Sequence, residues 1–216
     1  MGYSLGGGLA VSIAATYPHL IRSLTIICPG GLARSSHLAL SDRLLYSSGV
    51  LPDFLLRYLM RRKLDPGTGG VSKKDVPVEF EGGEGQMPSW EDLMGWQLAK
   101  NQGFVSSYLS TFQHAPIYDQ HDKDWKILAE ILAQRRAKNA PPGLAAGRVC
   151  VILGAHDIYV RLSEWKEDAK RVLGDDAVNL HVLEGGHEIA IANGREVAQL
   201  AIGSWTENHS RDLRDT

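Results

Sequence analysis

The sequence predicts an α/β protein: a parallel sheet with flanking helices, interrupted by a long helical insertion. Three observations predict it. Strand-like runs at Ser23 to Cys28, Arg148 to Leu153 and Ala177 to Leu183 each end in a turn bearing glycine or proline. Helical segments separate these runs, as parallel strands require. Between Leu32 and Gly143 the strand signal mostly vanishes, and helical patterns rich in Leu, Trp and Tyr replace it. Residues 1–33 and 144–216 therefore read as one core, and residues 34–143 as an insertion into it.

Composition narrows the functional classes. With 216 residues, 44% of them hydrophobic and 22% charged, the chain can bury a core of one domain plus an insertion. A formal net charge of -2 gives no electrostatic reason to expect nucleic acid or an acidic membrane as partner. No apolar stretch approaches the roughly 20 residues that cross a bilayer. Cys28 and Cys150 both sit in apolar runs and read as buried, reduced thiols, which suits the cytoplasm.

The first motif lies at the start of the chain. Gly2-Tyr3-Ser4-Leu5-Gly6 matches G-x-S-x-G, in which a strand turns sharply into a helix and presents the serine oxygen at the tip. Glycines two before and two after the serine remove Cβ atoms that would collide where strand and helix cross. The helix also aims free N–H groups and its positive dipole end at the serine. A dinucleotide loop fails, because from Gly6 and Gly8 the third glycine of G-x-G-x-x-G falls on Val11; a phosphate loop lacks its lysine. A glycine-rich turn with an incidental serine remains the competing reading of these few residues. Leu9 to Tyr17 carries no charge on any face, which predicts a helix buried under a sheet and not a surface helix, ended by Pro18.

Two further candidates follow at strand ends. Gly154-Ala155-His156-Asp157 closes the run from Arg148, at the edge of an open α/β sheet where catalytic groups collect. Asp157 there can orient an imidazole, or simply cap the helix starting near Leu162. Gly185-Gly186-His187-Glu188 closes the run from Ala177, and His187 on its glycine turn can act as general base toward Ser4. Each residue alone is more often structural. Three of them at three strand ends, in the order Ser, Asp, His, are much less often so.

On these residues the chain resembles the α/β-hydrolase superfamily: Gly2 to Gly8, Gly154 to Asp157 and Gly185 to Glu188 look like its nucleophile, acid and histidine motifs, and 189–197 like its closing helix. The resemblance implies Ser4, Asp157 and His187 as a catalytic triad, the Leu5 N–H as an oxyanion donor, and ester, thioester or amide chemistry on a small molecule without a cofactor or metal. It also implies that the insertion is a lid, with Tyr3, Trp90, Trp96, Phe104, Tyr108 and Phe112 as candidate substrate contacts. Packing within the lid would explain the insertion's aromatics equally well.

The insertion carries its own helix signals: Leu51 to Leu64 with Pro52 near its first turn, a helix capped by Ser89, Phe104 to Phe112, and amphipathic Lys123 to Arg136. Gly67 to Gly85 reads as a loop. His114, Asp119, His121 and Asp122 fit no metal-ligand spacing and read as a polar loop. The resemblance covers only the later strands of the family's sheet. It implies a second oxyanion donor outside this chain, a serine turn with little to hold it, an open edge beside Leu24 to Cys28, and little hydrolysis by the chain alone. Two hypotheses follow: an incomplete form of a serine hydrolase, or an inactive hydrolase-derived module that binds a partner.

Overall fold

The computed structural model describes residues 1–47, 49–68, 90–137 and 139–212. Four parallel strands, β1 (Gly2–Tyr3), β2 (Leu24–Ile27), β3 (Val149–Gly154) and β4 (Val178–Leu183), form one sheet in the order β1-β2-β3-β4. The helices are α1 (Leu5–Thr16), α2 (Leu40–Tyr46), α3 (Asp53–Leu64), α4 (Trp90–Lys100), α5 (Phe104–His114), α6 (Asp124–Arg135), α7 (Leu162–Val172), α8 (Ile189–Ala192) and α9 (Gly194–Asp212). Every residue of β2 and β3 is buried, so helices cover both faces of the central strands. On one face the Trp205 indole of α9 donates to Thr25 Oγ1 at 3.0 Å. By strand alternation Leu24 and Ile26 point the other way. β4 is the half-buried edge, with Val182 40% exposed.

Two expectations about this sheet change. The edge expected beside Leu24 to Cys28 is partly closed, because Gly2 and Tyr3 pair in parallel with Ile26 and Ile27. The helix expected to be buried under a sheet begins at Leu5 and buries only one side. Val11 and Ala14 are sealed, whereas Leu9, Ile13 and Tyr17, spaced four apart, lie 45–52% exposed. A lack of charge sets how a face would like to be covered, not whether neighbours cover it.

The chain divides into two compact units, Met1–Ala33 with Pro116–Thr216, and Arg34–Ala115. The expected insertion was longer, running to residue 143. Its last helix, α6, instead sends Trp125, Leu128 and Leu132 into the same buried cluster as Val11, Ile26 and Val151, and packs along α1. Periodicity identified that apolar face but not the core it enters. Within Arg34–Ala115, α2, α3, α4 and α5 pack around Leu45, Leu56, Met60, Leu64, Met94, Leu98, Val105 and Leu109. Helix α3 starts at Asp53, with Pro52 at its N-cap, near its first turn as expected. The loop expected at Gly67 to Gly85, beyond its first two residues, and the Ser89 cap lie outside the described residues.

Candidate active site

Ser4 sits between β1 and α1 with φ 52 and ψ -120, a backbone conformation that costs a non-glycine residue about 1–3 kcal/mol. Backbone hydrogen bonds hold it. Its N–H donates to the Ile27 carbonyl at 2.9 Å, and its carbonyl accepts from Gly30 N–H at 2.9 Å and Gly7 N–H at 3.0 Å. The turn is thus tied to β2 and the loop after it, more firmly than the sequence suggested.

The glycines around Ser4 are not equivalent. A Cβ on Gly2 would lie 2.2 Å from the Gly6 carbonyl oxygen, and one on Gly7 would meet Pro29 at 2.7 Å. Gly6 has open space, so the collision expected there falls on Gly7 instead. Leu5 opens α1, and its N–H belongs to the first turn of donors that a helix leaves without intrahelical partners.

Asp157 is 6% exposed, in the loop between β3 and α7. Its Oδ1 accepts the N–H groups of Tyr159 and Val160, each at 2.8 Å, and its Oδ2 lies 2.8 Å from His187 Nδ1. One oxygen thus accepts two N–H groups of the turn and the other meets the imidazole, whereas the helix cap expected near Leu162 is not made, Arg161 standing at the N-cap of α7. The close passage that permits this is built into Gly154, where a Cβ would come within 2.2 Å of the Gly186 carbonyl oxygen. On its other side, His187 Nε2 lies 2.8 Å from Ser4 Oγ. Ser4 and His187, 183 positions apart in the chain, thus meet directly.

The remaining expected site residues fall in two places. Tyr3 donates its hydroxyl to the His187 backbone carbonyl at 3.0 Å, with its ring 5.4 Å from the imidazole. Burial and nearby Glu188 push its phenol far above the usual range, so it remains a neutral donor. Phe104, Tyr108 and Phe112 lie within Arg34–Ala115 as a run of ring contacts, 6.1 and 4.8 Å between centroids, continued by Tyr46 stacked on Phe112 at 4.7 Å. Trp96 is 56% exposed, and the side chain of Trp90 is outside the described residues.

Two neighbours of the site went unread in the sequence. Tyr159 packs edge-on against His187 with centroids 5.2 Å apart. Cys28, fully buried, has its Sγ within 4.8 Å of an Asp157 oxygen and a His187 nitrogen. The signal for it was its place at the end of a strand run, where the other site residues gather. Among the described residues these three side chains form the one set compact enough for a metal ion. Both nitrogens of the imidazole, however, already face Asp157 and Ser4. His121 lies 3.2 Å from Asp168 of α7, and His114 Nδ1 lies 2.9 Å from the Ser110 carbonyl oxygen.

Solved structures share this architecture. The chain aligns over 95% of its length with the enol-lactonase of Burkholderia xenovorans LB400 (14% identity, TM-score 0.53), the bromoperoxidase of Bacillus anthracis (16%, 0.54) and a meta-cleavage product hydrolase of Pseudomonas fluorescens IP01 (18%, 0.51). The fold is that of the α/β-hydrolases. The chain spans 64%, 66% and 63% of those three structures, so it represents the α/β-hydrolase architecture over part of its length. No protein-family model and no curated protein sequence matches the chain. Within this fold the Ser4 turn joins β1 to α1, and Asp157 and His187 lie on the loops after β3 and β4. Among the described residues no helix is long and apolar enough to cross a membrane.

Proposed function

We propose that the chain is the triad-bearing part of a serine hydrolase that cleaves ester-like bonds in small molecules through an acyl-enzyme. One observation carries the reading: the unbroken relay from Asp157 Oδ2 through His187 to Ser4 Oγ, with both links at 2.8 Å. Ser4 Oγ attacks the substrate carbonyl carbon while His187 Nε2 takes the hydroxyl proton. Asp157 holds the ring with its Nδ1 proton facing the carboxylate and stabilises the imidazolium that forms. The Leu5 N–H, at the positive end of α1, donates to the developing oxyanion. Collapse of the tetrahedral intermediate breaks the carbonyl–oxygen bond, and the leaving alcohol receives the proton from His187. Water then repeats the sequence on the acyl-serine, releasing the acid and restoring Ser4.

A serine nucleophile separates this proposal from the aspartate chemistry of dehalogenases and epoxide hydrolases. Transfer from neighbours by fold alone would be analogy, and the side-chain relay is what supports the step beyond it. The test is release of p-nitrophenol from short p-nitrophenyl esters, expected to be slow with one oxyanion donor, about 10²- to 10³-fold below a complete site. Hydrolysis is expected to vanish in Ser4→Ala and His187→Ala. Turnover that persists in Ser4→Ala removes the nucleophile assignment.

A further inference from the structure

We infer that Cys28 is a positioning residue for the acid of the site, its buried thiol holding the Asp157 carboxylate in line with His187. This rests on the reading of Ser4, His187 and Asp157 as a triad. A carboxylate offers about four acceptor sites. At Asp157 the N–H groups of Tyr159 and Val160 and the ring of His187 occupy three. The Cys28 sulfur lies within 4.8 Å of an oxygen of that carboxylate and is fully sealed from solvent, which leaves its S–H the nearby donor for the fourth.

Backbone geometry aims Cys28 there. It is a non-glycine residue in the left-handed region, at φ 40, pinned by its N–H to the Ile152 carbonyl at 2.9 Å. Two residues later, Gly30 N–H donates to the Ser4 carbonyl. The three-residue stretch after β2 thus reaches both ends of the relay, bringing a thiol within 4.8 Å of the acid and a backbone amide to the carbonyl of Ser4. Burial, with the Asp157 charge beside it, pushes the thiol well above its usual range. Cys28 is therefore a neutral S–H donor and not a competing nucleophile.

The direction of the effect follows from charge. An S–H bond withdraws electron density from Asp157 and weakens its hold on the imidazolium. Removing the donor frees the carboxylate to bind the imidazolium more tightly but lets it turn. Tyr3, Tyr159 and Glu188 are the other ionisable groups around this cluster, and substitution of Cys28 leaves them in place.

The experiment follows the pH dependence of fluorophosphonate labelling in the full chain, with histidine-detected NMR titration of His187 as a readout free of turnover. Cys28→Ala is expected to label roughly 5- to 10-fold more slowly, the loss of about one hydrogen bond, with the His187 midpoint moved upward. Cys28→Ser, a stronger donor, should label within about 3-fold of the parent with its midpoint below the parent's. Parental rate and midpoint in Cys28→Ala, while Ser4→Ala stays unlabelled, overturn this inference alone. Equal labelling of Ser4→Ala overturns the triad reading and this inference with it. If Cys28→Ala does not fold, Cys28→Ser decides, and an unmoved midpoint overturns the inference.

Discussion

Asp157 joins two duties in one side chain, and its two oxygens can be separated by substitution. In Asp157→Asn the Oδ1 acceptor for Tyr159 and Val160 persists, but an NH2 group replaces the oxygen that faces His187 Nδ1. The ring is then driven to the wrong tautomer, so turnover should fall by about 10⁴-fold with the melting temperature nearly unchanged. Asp157→Ala should lose the turn as well, lowering stability by about 1–3 kcal/mol in a denaturant titration. The glycines give a second contrast. Gly2→Ala puts a Cβ 2.2 Å from a backbone oxygen and should abolish labelling at Ser4, whereas Gly6→Ala meets nothing and should be neutral or stabilising by about 0.5–1 kcal/mol. Sequence alone made Asp157 either a cap or a catalytic acid, because residue type and spacing do not say how many groups one carboxylate serves. The same limit hid Cys28, whose neighbours arrive from strands more than a hundred residues away.

At the scale of elements, strands were the most legible part. The three expected runs reappear as β2, β3 and β4 within about a residue at most ends, since continuous apolar runs closed by glycine turns have few alternatives in a parallel sheet. Helices were legible as helices but not by address. The apolar face of α6 was evident in the spacing of Trp125, Leu128 and Leu132, yet periodicity carries no label for the core it joins. That placement has a measurable consequence. Leu128→Ala, at a fully buried position beside the sheet, should cost about 2–5 kcal/mol and reduce the folded fraction that labels at Ser4. Tyr108→Ala, within Arg34–Ala115, removes ring contacts with Phe104 and Phe112 and should cost about 1 kcal/mol per pair.

For the whole molecule, the relay depends on three loops at one edge of a four-stranded sheet, brought together by contacts that span 30 and 183 residues. Such a site exists only in the folded sheet unit, so labelling at Ser4 and the far-UV signal of the sheet should be lost at the same denaturant midpoint. The order of the motifs made the sheet and its site legible together, because parallel connectivity puts successive strand ends on one edge. The solvent-facing stripe of Leu9, Ile13 and Tyr17 was not legible, since hydrophobicity does not reveal which neighbours are present. Exposed apolar surface of this kind favours association, and Ile13→Lys should reduce light scattering at high concentration while leaving Ser4 labelling intact. The most direct test of the account is mass spectrometry of the chain after reaction with a fluorophosphonate. One adduct per chain is expected, on the peptide containing Ser4 and absent from Ser4→Ala and His187→Ala; an adduct on another residue, or undiminished labelling of Ser4→Ala, would contradict it.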